Sequence, residues 1–430
     1  MPVPSVLMDS QMLRDMENGN CTMSENNRIT IGVEATYFSH NALRNPQLDV
    51  LFFTNNTKTN QLTFQNPPTQ RIPSTFEHRL ISHLRIPTNV SDFISKLLPL
   101  PQFPSVKVFG KQDSDRCKCT SEKTGKVYDF CYINPKNTSM IGKPFHCAHL
   151  KVLETLRLVD APELKLVDLS VPSRRTSDVI FVTAATKDHL GNFREMFALI
   201  KTHWPNQKMI FYALDLDEQQ IKNLESDPML IVRRFDYSIY PDYLKNWKEY
   251  RFKAIILAEV LRDYPNIWWT DTHNRWEKPV SLDKFYGDLA QCASDSQCDK
   301  KSSMMMFVNA THSNYAVLHK GFLEYFPTFD MDTLKTNEKG LQLSAAFVYA
   351  ARTSFTMEII KWHTLCALEE ECMSPKTSKL ECDTVPMWDV NAGCFRYDQS
   401  SLNLLLFNTF RNHNSYFMNP GVVTRTYSHY

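Results

Sequence analysis

Glycine is scarce in this chain of 430 residues, which has only 11, all scattered. Loops that cradle phosphate need clustered glycine, because a Cβ keeps backbone amides away from the anion. Neither GxGxxG nor GxxxxGKS/T occurs. That excludes most dinucleotide-binding dehydrogenases, Rossmann methyltransferases and P-loop kinases. Excess charge is also lacking, with 48 Lys plus Arg against 47 Asp plus Glu. So balanced a chain has no strong field to draw a nucleic-acid polymer, and none is expected as a partner. No segment is apolar for long enough to span a bilayer, and MPVPSVLMDSQML at the start has no signal-length apolar core. No signal or anchor is therefore visible in the chain.

Hydrophobic residues make up 43% of the chain and include 27 Phe, the make-up of a globular protein with an ample core. Its 11 cysteines fall into local groups: Cys117, Cys119, Cys131 and Cys147; Cys292 and Cys298; Cys366, Cys372, Cys382 and Cys394; with Cys21 left over. Even-numbered groups read as disulfides closing short loops in an oxidising compartment. HCAH at 146–149, beside Cys117 and Cys119, leaves a zinc site open as an alternative, although its spacing matches no common finger. Five N-glycosylation sequons, at Asn20, Asn55, Asn89, Asn137 and Asn309, are what chance alone would supply.

Residues 1–105 are rich in Pro, Asn and Thr and read as an irregular stem, while 106–150 read as a small Cys-rich module. From about 177 the texture changes. SDVIFVTAA, KMIFYALD, MLIVRRF, IWWTD and SMMMFVN have the length and composition of buried strands. Between the first two, Leu190, Phe193, Phe197, Ile200 and Trp204 recur on one helical face. A short helix is expected around Ile221 and Leu224, and a longer one from Leu244 to Leu261, closed by Pro265. Strands alternating with helices predict an α/β fold with a mostly parallel sheet flanked by helices.

The most informative stretch is IWWTDTHNRW, 267–276. Its apolar run ends in Asp271, at the carboxyl end of a strand, where open α/β sheets bind ligands. His273 follows two residues later. An acidic residue and a second donor at that spacing is one way to present a divalent cation to a diphosphate. The second candidate is YDQSSLN, 397–403, where Asp398 and Gln399 precede the apolar run Leu402–Phe407. An Asp there is either an N-cap accepting a backbone N–H or a carboxylate serving a ligand.

Several stretches together resemble a GT-A-type nucleotide-diphospho-sugar glycosyltransferase over 177–415, and especially a nematode-expanded family of glycosyltransferase-like proteins. They are FVTAATKDH (181–189), FYALDLDEQQ (211–220), RRFDYSIYPDY (233–243), FKAIILAEVL (252–261), WWTDTHNRW (268–276), WHTLCALEEECMSP (362–375) and CFRYDQSSLNLLL (394–406). The resemblance implies transfer of a hexose-type sugar from a nucleoside-diphosphate donor to an acceptor hydroxyl of a glycan, lipid or protein, assisted by Mn²⁺ or Mg²⁺. It implies the Golgi or secretory lumen, in agreement with the cysteines and in tension with the absence of a visible anchor. Asp271 and His273 stand where many GT-A enzymes have Asp-x-Asp, so they are the expected metal ligands, although His273 departs from that pattern. Asp398 is the expected catalytic carboxylate with Gln399 beside the donor, Thr183 is placed for donor contacts, and Lys253 for the leaving diphosphate. Competing readings are a catalytically degenerate transferase fold acting as a scaffold, a cysteine-stapled interaction protein, and a hydrolase using Asp271 with His273.

Overall fold

The computed structural model describes residues 28–32, 50–56, 61–65, 115–169, 179–276, 302–418 and 423–425. Cys21, Cys292 and Cys298 lie outside them. The chain divides into two compact units, Met1–Leu100 and Pro101–Tyr430. Within the stretch that the sequence presents as an irregular stem, three strands form an antiparallel sheet: β1 (Arg28–Gly32), β2 (Val50–Asn56) and β3 (Gln61–Gln65). The turn-forming Pro, Asn and Thr around these short runs hide them, although Ile29 and Ile31, and Leu62 and Phe64, alternate as strand residues do.

The second unit opens with the Cys-rich segment, where β4 (Lys118–Thr120) and β5 (Val127–Asp129) form a two-stranded ribbon followed by helix α1 (Leu150–Thr155). Disulfides Cys117–Cys131 and Cys119–Cys147 staple it. With these sulfurs paired, HCAH has no thiolate to offer zinc. The segment packs directly on the main core, Tyr132 and Phe145 lying against Phe326 and Trp362 at ring-centroid distances of 5.1 to 5.9 Å.

A six-stranded sheet organises the rest. Its parallel part comprises β6 (Val179–Ala185), β7 (Met209–Ala213), β8 (Leu230–Arg234) and β9 (Asn266–Thr270). Then β11 (Met304–Ser313) and β12 (Leu341–Ala351) complete the order β11-β12-β9-β6-β7-β8, with β12 antiparallel to both neighbours. A short β10 (Asn274–Trp276) pairs with β13 (Val423–Arg425) outside this sheet. The fold is α/β, with a mostly parallel sheet flanked by helices.

Alternation along the strands sorts the core into two faces. Phe181 and Trp268 face helix α2 (Leu190–His203), whose Leu190, Phe193, Phe197 and Ile200 form the expected apolar face. Helix α3 (Glu218–Glu225) adds Ile221 and Leu224 on the same side, and starts in a capping box between Asp217 and Gln220. Val182 and Trp269 face the opposite side, which α4 (Arg251–Asp263), α5 (Ser354–Leu368) and α6 (Tyr397–Phe410) cover. Each large apolar side chain withdrawn from water here contributes about 2 kcal/mol.

Helix α4 begins later than its apolar spacing suggests. Residues Asp242–Lys245 and Trp247–Glu249 form 3₁₀ turns, and Tyr250 takes a left-handed φ of 55° before the helix starts at Arg251. Arg251 is buried and donates to the carbonyls of Ala367, Glu369 and Glu370 at 2.6 to 3.0 Å. Those carbonyls lie at and just past the end of α5, where helical partners run out and the dipole favours a cation. This contact anchors the first turn of α4, and with it Lys253, against α5.

Candidate functional site

Three elements, α4, β9 and α6, converge on the Trp269 side of the sheet. Strand β9 ends at Thr270, and the Asp271 backbone N–H donates to Ala346 O of β12 at 2.8 Å. Alternation turns Asp271 to the same side as Trp269, whose indole Nε1 donates to Asp271 Oδ1 at 2.8 Å. From α4, Lys253 Nζ reaches both oxygens of that carboxylate, at 2.9 and 3.0 Å. From the first turn of α6, Asp398 Oδ2 lies 3.4 Å from the same ammonium. The rings of Tyr250 and Trp269 flank Lys253 Nζ at 5.1 and 5.7 Å, close enough for cation–π attraction.

Electrostatics follow from burial. Lys253 is 7% exposed and Asp398 only 4%, so neither group can be charged without a partner. Burial works against the Lys253 ammonium, but the charges of Asp271 and Asp398 outweigh it and hold the lysine above its ordinary range. Burial pushes the Asp398 carboxyl up to about 6, with Lys253 pulling down and Asp271 pushing further up. Behind it, His363 of α5 is driven by burial, and secondarily by the charge of Lys253, down to about 3. Its Nδ1 meets Ser401 Oγ of α6 at 3.0 Å. The arrangement is an ammonium stabilised between the Asp271 carboxylate group and an Asp398 carboxyl that burial shifts up toward neutrality.

Asp398 does not cap its helix. Arg396 stands at the N-cap, where its side chain makes no capping bond, and Tyr397 enters the helix at a left-handed φ of 41°. Disulfide Cys382–Cys394 lies just before this turn, and Arg396 Nη2 donates to Cys382 Sγ at 3.5 Å. Both helix starts that supply the cluster, at Tyr250 and Tyr397, thus carry a non-glycine residue in the left-handed region.

The remaining sequence candidates make other contacts. Gln399 ties α6 to β12, accepting from the Ala345 N–H at 3.3 Å and donating to Gln342 Oε1 at 2.7 Å. Thr183 shares the opposite sheet face with Phe181, turned away from Lys253, and its buried hydroxyl finds no hydrogen-bond partner among the described residues. His273 sits edge-on to His189 at 5.1 Å, beside the loop that follows β6. There His189 Nδ1 meets Thr186 Oγ1 at 2.9 Å and Asp188 Oδ1 at 3.0 Å.

The expected metal pair meets an obstacle of chemistry. Both Asp271 oxygens face the Lys253 ammonium, and Oδ1 also accepts from Trp269. A divalent ion at Asp271 would have to share that carboxylate with a buried positive charge. Among the described residues, no group of three or more His, Cys, Asp and Glu is arranged to hold a metal.

Sequence reasoning missed Tyr250, Trp269 and His363 as members of this site. The two-residue spacing from Trp269 to Asp271 was the available signal for one of them. Nothing local marks the others.

Comparison with known proteins adds relatives but little function. Residues 117–258 match a family described as "Protein of unknown function (DUF1647)", a span that holds Thr183 and Lys253 but neither Asp271 nor Asp398. Residues 1–97 match a family described as "W02B3.4-like, N-terminal domain". The chain is 26% identical over 93 residues to the uncharacterized protein W02B3.4 of Caenorhabditis elegans. That alignment covers 21% of this chain and 24% of that protein, so the chain spans about a quarter of the length of the relative it matches. Among solved structures it is similar to core-mannan synthase A of Aspergillus fumigatus, in its Mn/GDP form. The TM-score is 0.32 and the identity 10%, over 54% of this chain and 69% of the other.

Proposed function

We propose that the protein is a glycosyltransferase that moves a sugar from a nucleoside-diphosphate donor to an acceptor hydroxyl of a glycan, lipid or protein. One observation carries the reading: carboxylates from the carboxyl end of β9 and the start of α6 meet around one buried lysine, and the carboxyl ends of strands are where open α/β sheets bind ligands. The GT-A resemblance of the sequence supports it independently.

In this reading Asp398, with its carboxyl near 6, accepts the proton of the acceptor hydroxyl as that oxygen attacks the anomeric carbon. The bond from that carbon to the diphosphate oxygen breaks, and the diphosphate leaves with the electron pair. Lys253 holds Asp271 and Asp398 in register, and Asp271 contributes to seating the donor. Mn²⁺ or Mg²⁺ on Asp271 and His273 is the metal-assisted form of the same proposal, but the donor set around Asp271 does not favour it and no step is assigned to a metal. Four disulfides among the described residues agree with an oxidising compartment, and a secretory lumen such as the Golgi is proposed on that basis. Among the described residues, no helix is long and apolar enough to cross a membrane.

The test is calorimetric titration of the oxidised, folded protein with UDP and with GDP, comparing wild type with Asp271→Ala. Binding that Asp271→Ala abolishes supports a nucleotide-sugar site, and a donor screen with Asp398→Asn then tests turnover. Absence of binding to either nucleotide in the well-folded protein removes the reading. Binding without turnover of any donor favours a scaffold, for which His273 in place of a second carboxylate is the specific support.

A further inference from the structure

We infer that the ammonium of Lys253 occupies the place of a divalent cation in this site, so that the Asp271–Asp398 pair takes no resident metal. As to ligand, this rests on the transferase reading; as to metal, it stands on geometry alone. A buried carboxylate facing a second, half-buried one needs a cation between them if both are to be ionised. Lys253 Nζ fills that position, 2.9 and 3.0 Å from the Asp271 oxygens and 3.4 Å from Asp398 Oδ2.

Three features make the ammonium a fixture. Its stem rises from the third residue of α4, whose start Arg251 clamps to the end of α5. Its head lies between the Tyr250 and Trp269 rings, which prefer a cation. The third is the Trp269 indole, which donates to Asp271 Oδ1 and so turns that oxygen toward the protein. A divalent ion entering here meets a like charge about 3 Å from its first ligand, a repulsion that low surrounding polarity magnifies. The second expected ligand, His273, packs beside His189 on the neighbouring loop. The consequence is specific: the cluster carries its own cation as a side chain, and chelators leave it intact.

The experiment measures Mn²⁺ itself, with no nucleotide present. Free Mn²⁺ is followed by its electron paramagnetic resonance signal as the full-length oxidised protein is added. Wild type is expected to leave the signal unchanged. Lys253→Met, which vacates the position between the two carboxylates, is expected to bind Mn²⁺ about a hundredfold tighter or more, the order that removing one buried positive charge a few ångström from the ion provides. Uptake by wild type that Asp271→Asn abolishes overturns the inference, as does a folded Lys253→Met with no gain. Should Lys253→Met not fold, the wild-type melting temperature decides: it stays constant with chelator or added Mn²⁺ if the inference holds. A Mn²⁺-dependent rise that Asp271→Asn removes would overturn it. Since no nucleotide enters, these outcomes are separate from those of the transferase test.

Discussion

Replacing Lys253 with Met should destabilise the protein in a strongly pH-dependent way. The substitution keeps an apolar stem of similar length and removes only the ammonium that contacts Asp271 at 2.9 Å and Asp398 at 3.4 Å. Breaking a buried pair by deleting one partner costs about 3–5 kcal/mol, because the survivors stay buried without compensation. That penalty needs ionised carboxylates. In the native protein the Asp398 carboxyl lies at about 6 rather than 3.8, so at pH 8 it is ionised and at pH 5 about nine-tenths is protonated. Lysine pulls that value down, so the variant carries it higher still. A carboxyl raised in the folded state burdens the fold in full above that raised value, and the burden lifts as pH falls from there toward the ordinary 3.8. The variant therefore regains ground on acidification over a wider range than the native protein does. For a further rise of one to two units, the gap between them narrows by about 1–3 kcal/mol from pH 8 to pH 5. Urea unfolding at the two pH values, followed by circular dichroism with midpoints and slopes compared, measures this directly. An equal cost at both pH values, or one below about 1 kcal/mol at pH 8, would refute the coupling of the three groups.

His363 should be a source of acid lability. Its folded value near 3 lies below the ordinary 6.5, so its contribution is intact above 6.5 and drains away as pH falls toward 3. His363→Asn should flatten the loss of stability across that window, and an unchanged acid-unfolding profile would show that other groups govern it. Removing disulfide Cys382–Cys394 with paired serines opens a loop of sequence separation 12 just before Asp398, at an expected cost of about 3 kcal/mol. Faster proteolysis around 380–396 should accompany the lower melting temperature; equal resistance in the two proteins would mean that packing alone holds the turn.

Much of the central domain was legible from local pattern. The strands that became β6, β7, β8, β9 and β11 announce themselves as short apolar runs, and α2 as a stripe spaced at three and four residues. By contrast, β12 passes unnoticed in LQLSAAFVYAA. Wholly buried on both faces, it shows no alternation, and its small residues give no length cue that separates strand from helix. Helix α4 began seven residues after the first of its apolar markers, because Tyr250 breaks the backbone where Arg251 must turn to meet α5. Cysteine grouping indicated where the staples lie, but of the pairings that four cysteines allow only packing chooses one.

Sequence alone determined the α/β class, the absence of glycine-built phosphate loops, and the positions of Asp271 and Asp398 at a strand end and a helix start. Those are local properties, set by periodicity and by residue type at an element's edge. Tertiary structure decided which residues share a site. Lys253 joins the two carboxylates, His363 stands behind them, Gln399 ties α6 to β12, Thr183 faces the other side of the sheet, and His273 lies edge-on to His189. Which face a strand presents, and which helix covers it, depends on sheet order and on burial of the whole core. The charge of a buried group is set by its neighbours in space, and these lie 18 to 145 positions apart along the chain.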